Sequence, residues 1–284
     1  MTPAIEVVDL HKSYGSFEAV RGVSFAVEPG EIFGLLGPNG AGKTTTVEIL
    51  EGYRDRSAGE VRVLGRDPQQ RDRHLQERVG IVLQSCGFYR RVTVREAVTH
   101  FAKVYPSPRD PEETIALVGL LEKANAQTKD LSGGQRRRLD LALALIGDPD
   151  LVFLDEPTTG FDPAARRTAW GVVRRLKELG KTVLLTTHYL DEAQELADRV
   201  AIVKDGRIVA EGPPDSLGPG SSRYRVSYIS QGRRVEHQTD DPTELLHRLT
   251  SDAVARGERL EGLEVTRPTL EEVYLELTRE ADAA

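Results

Sequence analysis

Short apolar runs alternate along this chain with longer segments whose apolar residues recur at helical spacing, and that alternation predicts strands and helices in turn. Three strands come first, over residues 5–10, 20–27 and 31–36, the last apolar enough to be buried on both faces. A helix is predicted over 42–51, directly after a glycine-rich loop. Strands follow at 60–64 and 79–84, then helical spacing at 94–104 and 111–122, which predicts a helical insert in mid-chain. Beyond it the pattern gives a helix over 134–146, a fully apolar strand over 151–154, a helix over 163–179, a strand over 183–187 and a helix over 191–197. Strand and helix in alternation imply a parallel sheet covered on both faces. Residues 199–203 and 207–210, joined by Asp205-Gly206, read as a closing hairpin.

The pattern changes at Gly212-Pro213-Pro214 and again at 218–222, where glycine, proline and serine cluster, so two domains are expected, 1–215 and 216–284. The second shows strand alternation at 223–229 and 233–238 and helices over 242–249 and 269–278, the last with Thr269 as N-cap and Glu272 three residues on. A length of 284 residues suits two compact units. Charged residues at 29% and hydrophobic ones at 39% are the balance of a folded, water-soluble chain. No apolar run nears the roughly 18 residues that cross a bilayer. The start of the chain has no signal-peptide pattern, and Cys86 is the sole cysteine, which excludes disulfides within the chain and Cys-built clusters. A cytoplasmic protein is expected. The net charge of -7 gives no overall field for nucleic acid, so no nucleic-acid partner is expected.

Three motifs carry chemistry. Gly37-Pro38-Asn39-Gly40-Ala41-Gly42-Lys43-Thr44 fits a phosphate loop between strand and helix. Glycines there let successive N–H groups point at phosphate oxygens, the helix adds its positive end, Lys43 reaches the β and γ phosphates, and the Thr44 hydroxyl suits Mg2+. Leu151-Val152-Phe153-Leu154-Asp155-Glu156 is a buried strand ending in two carboxylates, at the edge where open parallel sheets bind ligands. Asp155 suits a hold on Mg2+, and Glu156 a general base for an attacking water. Leu131-Ser132-Gly133-Gly134-Gln135 opens a helix with a serine cap and two glycines, which makes a second anion-binding helix start.

With LSGGQ lying between phosphate loop and acidic strand, residues 4–212 resemble the ATP-binding subunit of an ABC transporter. The resemblance implies an α/β fold: a P-loop core with a mixed sheet, an N-terminal antiparallel part, a RecA-like centre and a helical subdomain at about 85–130, followed by a small α+β appendix. It also implies ATP and Mg2+ as cofactors, with residues Gly37 through Thr45 on the nucleotide and Thr44, Gln84 and Asp155 on the metal. Ser132, Gly133, Gly134 and Gln135 of one copy would close over ATP held by another, so hydrolysis requires a head-to-tail homodimer. Position by position, Tyr14 resembles the aromatic residue that stacks on adenine, Gln84 the glutamine that reports nucleotide state to the membrane domain, and His188 the switch histidine. Asp162 resembles the aspartate of the loop that crosses the subunit interface, with Phe161 where leucine is usual. The insert at 85–129 is the expected lever to a partner, and Ser85 to Tyr89 an apolar patch for a membrane subunit's helix. Arg136-Arg137-Arg138 reads as a solvated, partner-facing surface, Trp170 as core, and the histidines at 11, 74, 100, 237 and 247 as surface or packing residues.

Residues 267–278 resemble the tail of ATPases from the drug-resistance and polysaccharide or lipid exporter branch. The expected function is therefore an ATPase that powers export through a separate membrane-spanning permease, bound peripherally at the inner face of the cell membrane. An importer ATPase is the alternative. A soluble ABC ATPase acting on DNA or ribosomes is less favoured, since the chain has one cassette and no room for a long coiled-coil arm.

Overall fold

A computed structural model describes residues 2–82, 91–217, 224–230, 232–266 and 269–280, the last five of these as backbone only. The chain divides into two compact units, Met1–Val209 and Ala210–Ala284.

The first unit opens with β1 (Ile5–Tyr14) and β2 (Phe17–Val27), followed by β3 (Ile32–Leu36), α1 (Lys43–Leu50), β4 (Ala58–Val63), the single turn α2 (Arg73–Gln76) and β5 (Val79–Val82). The helical segment supplies α3 (Val94–Ala102), α4 (Pro111–Leu117) and α5 (Gly133–Leu145). Then come β6 (Leu151–Asp155), α6 (Pro163–Glu178), β7 (Thr182–Thr187), α7 (Leu190–Leu196), β8 (Arg199–Lys204) and β9 (Arg207–Gly212), which runs across the unit boundary.

Two sheets result. β2, β1 and β4 form an antiparallel sheet, and a six-stranded sheet runs β5-β6-β7-β3-β8-β9. β5, β6, β7, β3 and β8 pair in parallel. Side chains alternate across each central strand, so one sheet builds two cores. Val152, Leu154, Val183 and Leu185 enter a core with residues of α3, α4, α5 and α6. Phe33, Leu35, Phe153 and Leu184 enter another, with β1, β2, β4 and α1. There Phe33 stacks on Phe25 with ring centroids 5.3 Å apart. The expected double-sided cover is therefore present, but one face is covered chiefly by a second sheet.

Several elements differ from the expectation at their ends. α4 stops at Leu117 rather than running to residue 122, because Gly119 takes a left-handed φ of 67°. α3 begins with a full capping box, Thr93 with Glu96, and ends at Ala102. At the hairpin of β8 and β9, Asp205 and Gly206 both have positive φ, as a two-residue turn requires. Trp170, expected as core, is partly buried and packs against the core, with its indole N–H donating to the buried Glu192.

The second unit contains β10 (Tyr224–Ser230), β11 (Arg233–Thr239), α8 (Pro242–Arg256), β12 (Glu261–Thr266) and α9 (Leu270–Glu280), with strand order β11-β10-β12. α8 runs seven residues beyond the expected end and stops at Gly257, in the left-handed conformation. Thr269 and Glu272 form the expected reciprocal cap, and Arg225 pairs with Glu272 at 2.7 Å. β12 was not expected: every residue is exposed, so the sequence carries no burial signal over 261–266.

The two-sided core makes Phe153, fully buried, a sensitive position. Phe153→Ala should cost about 3–5 kcal/mol of stability, read as a lowered urea midpoint for the first unit's transition.

Candidate functional site

Pairing register assembles the site. β3 and β7 align Leu36 with Thr187, and β6 and β7 align Asp155 with Thr186, so Gly37, Glu156 and His188 leave neighbouring strands at one edge of the sheet. The phosphate loop continues from β3 into α1. Gly42 is left-handed at φ 101°, and a Cβ there would lie 2.5 Å from the Ala19 carbonyl oxygen, so only glycine fits. Lys43 is buried, and its Nζ donates to the carbonyls of Gly37 at 2.7 Å and Pro38 at 3.0 Å. Burial pulls the Lys43 amine below its ordinary range, opposed by the charges of Glu156 and Asp155.

At the end of β6, Asp155 Oδ1 accepts the Thr186 hydroxyl at 2.5 Å. Glu156 has a left-handed φ of 47°, a strained value held by its N–H donating to the carbonyl and hydroxyl oxygens of Thr186, both at 3.1 Å. Its carboxylate oxygens are separately engaged: Oε2 accepts from Thr159 at 3.1 Å, and Oε1 lies 3.2 Å from His188 Nδ1. The acidic pair and the histidine thus meet, as expected. Thr44 stands exposed on the first turn of α1. With Asp155 it offers a hydroxyl and a carboxylate oxygen, a hard-oxygen pair that suits Mg2+ completing its shell with phosphates and water. Among the described residues no cluster of three histidine, cysteine or carboxylate side chains is placed to hold a metal ion.

Tyr14 ends β1, exposed, with Lys12 Nζ 5.2 Å and the Arg54 guanidinium 5.3 Å from its ring centroid. Arg54 is fixed by Glu48 at 2.5 Å. Gln84 and the 85–89 patch lie outside the described residues.

Ser132 caps α5 in a reciprocal box: its Oγ accepts the Gln135 N–H at 3.2 Å, and Gln135 Oε1 accepts the Ser132 N–H at 3.0 Å. The hydroxyl proton and the N–H groups of Gly133 and Gly134 are left for an anion. Asp162 caps α6 through the N–H groups of Ala164 and Ala165, at 2.9 and 2.8 Å. Between these two helix starts and Glu156 lies a cleft of about 720 Å3. Its walls include Ser132 to Gln135 and Gly160 to Asp162, but no residue of the phosphate loop. Within one copy, Glu156 reaches this cleft and the phosphate loop does not line it.

The arginine triplet departs from the expectation. Only Arg136 is exposed; Arg138 donates to the Gly119 carbonyl at 2.9 Å, and Arg137 donates to the backbone carbonyl of Asp155 at 2.6 Å. Helix packing uses two of the three cations as backbone clamps, a role that charge runs do not signal. Phe161 lies half-buried, lining a small apolar cavity with Val82, Leu154, Pro157 and Val173.

This geometry has close counterparts. A family profile for ABC transporters matches residues 20–159. The Nod factor export ATP-binding protein I of Burkholderia lata is 37% identical over 300 residues, covering 96% of each chain. The chain belongs to the ABC transporter ATP-binding family. The protein of the same name from Rhizobium sp. strain N33 is 39% identical over 97% of each chain. In structure, an ATP-binding subunit of an ABC transporter aligns over 98% of this chain and 100% of its own, with TM-score 0.71 at 23% identity, a likeness of fold. A dimeric ATP-binding cassette in a post-hydrolysis state with ADP and Pi aligns with TM-score 0.65 at 25% identity, over 74% of this chain and 98% of its own. This ABC subunit is an ATPase with the α/β cassette fold.

Asp140, on α5, lines the cleft of this ATPase; it is 7% exposed and its Oδ1 lacks a hydrogen-bond partner. Burial pushes its carboxyl up to about 7, with Arg137 and Arg136 opposing. An acid whose folded pKa exceeds its unfolded one stabilises less as pH rises from about 4 through 7. Asp140→Asn should therefore gain stability over the wild type between pH 5 and 8, by at most about 4 kcal/mol, in urea titrations at both pH values.

Proposed function

We propose that this ATPase powers export of a polysaccharide-type molecule of the Nod factor kind. It would act through a separate membrane-spanning permease, as a homodimer at the inner face of the cell membrane. The observation that carries the reading is the similarity along 96–97% of the chain to Nod factor export ATP-binding proteins, which takes in the second unit as well as the cassette.

The residues act as follows. Lys43 exchanges the carbonyl oxygens of Gly37 and Pro38 for phosphate oxygens, while Gly40, Gly42, Thr44 and Thr45 turn N–H groups toward the polyphosphate. Tyr14 stacks on adenine. Thr44 and Asp155 would hold Mg2+, with Gln84 joining them by family likeness alone, and the ion would supply positive charge beside the phosphates. Glu156 takes a proton from the attacking water, its carboxylate held in orientation by Thr159 and His188. His188 turns Nδ1 toward Glu156, which leaves Nε2 for the γ phosphate.

Closure follows from the separation of the two cradles. The cleft beside Ser132 receives the nucleotide of a second copy, so each ATP joins two surfaces. Its affinity for the closed pair over the open one sets how far the equilibrium moves. Loss of the γ phosphate removes part of that difference and frees the pair to open.

Glu156→Gln should retain ATP binding, lose at least about 100-fold in kcat and elute as a dimer with ATP in size-exclusion chromatography. Normal turnover in this variant would remove Glu156 from the general-base role. Purification from detergent-solubilised membranes should recover a multi-span protein; recovery of ribosomes or DNA alone would contradict the transport reading.

A further inference from the structure

We propose that Glu192 is a positioning residue of the hydrolytic site, which fastens the segment carrying Glu156 to the segment carrying His188. The inference rests on the roles assigned above to those two residues. Glu192 lies on α7 and is fully buried. Its Oε1 accepts the Thr158 hydroxyl at 2.8 Å and the Trp170 indole N–H at 3.0 Å. The Thr187 hydroxyl accepts the Tyr189 N–H at 2.9 Å, at the turn that leads from His188 into α7. Thr158 follows Glu156 by two residues, and Thr187 directly precedes His188. Both threonines are buried, at 1% and 0% exposure. A single carboxylate on the helix that follows His188 thus holds the turn that follows Glu156, while Glu156 and His188 meet at 3.2 Å.

Energetics argue that the acid is there for geometry. Burying a carboxylate is costly unless hydrogen bonds replace water, and an apolar side chain of similar volume would avoid that cost. Burial pushes the Glu192 carboxyl above its ordinary range, against the pull of Thr187, Thr158, Trp170 and Arg166. Its Oε2 is buried without a hydrogen-bond partner, so the site tolerates an incompletely satisfied acid. A second grip runs parallel: the Arg166 guanidinium lies 4.3 Å from the Tyr189 ring centroid and pairs with Asp191 at 3.1 Å. Together these contacts dock α6, whose first turn is capped by Asp162, onto α7. Displacements near 1 Å at reacting groups can cost about 100-fold in rate, so losing the fastening should appear in kcat and leave nucleotide binding in place.

The test uses the full-length chain and steady-state ATP hydrolysis. Glu192→Ala should lower kcat about 10- to 100-fold with KM for MgATP within about 3-fold. Glu192→Gln keeps an oxygen acceptor for Thr158 and Trp170 and should recover kcat to within about 3-fold of the wild type. Trp170 is the sole tryptophan, so its fluorescence reads the same contact: emission should shift in Glu192→Ala and stay in Glu192→Gln. Unchanged kcat in a folded Glu192→Ala, or a loss fully accounted for by fewer ATP-binding sites per chain, would overturn the proposal. If that variant does not fold, Thr158→Val and Trp170→Phe decide it, since each removes one donor: kcat reduced 3-fold or more at constant KM supports the proposal, and wild-type kcat in both refutes it. Glu156→Gln in the same assay separates the two readings. Turnover there would remove the hydrolytic assignment itself, whereas its loss alongside a fully active Glu192→Ala would remove only the fastening role.

Discussion

Parallel pairing of β3, β6 and β7 in fixed register is the constraint on which the rest depends. Leu36 lies beside Thr187, and Asp155 beside Thr186, so the chain leaves three strands at one edge within a residue or two. Once the sheet has formed, the glycine-rich loop, the acidic pair and His188 stand together at its edge. A register slip of one residue would turn Asp155 to the opposite face of the sheet and break its 2.5 Å contact with Thr186. The double-sided core guards against that slip, because Phe153 and Val152 are buried on opposite faces and neither can exchange places with a polar neighbour.

The same edge is tied to the helical part of the first unit. Arg137, one turn into α5, donates to the carbonyl of Asp155, while the start of that helix carries Ser132 and the two glycines. A change at the acidic strand therefore has a direct mechanical route to the second anion cradle. α6 and α7 are clamped to one another through Arg166, Asp191 and Glu192, and both emerge beside Glu156 or His188.

Most of this arrangement was legible in the sequence, because glycine-rich loops, buried apolar strands and adjacent carboxylates each have a physical reason to occur where they do. The phosphate loop, the acidic pair and the capped signature helix stand where the pattern put them. Element ends were less legible: Gly119 ends a helix whose apolar spacing continues past it, and β12 is exposed throughout and so shows no alternation of burial. Contacts made by backbone carbonyls were invisible. Nothing in Arg136-Arg137-Arg138 distinguishes the exposed cation from the two that clamp Gly119 and Asp155, since the distinction lies in which face packs. Glu192 carried no signal either, because an acid in an amphipathic helix ordinarily points to water.

The central claim is that each hydrolytic site is built from two chains, with Lys43 from one and Ser132 to Gln135 from the other. Mixing two inactive variants tests it most directly, Lys43→Ala with Gly134→Asp. Either homodimer has both composite sites broken, whereas the mixed dimer has one site damaged twice and one site intact. Recovered ATP hydrolysis that peaks near equal proportions is the predicted result. Persistent inactivity of the mixture at every proportion would contradict a site shared between copies.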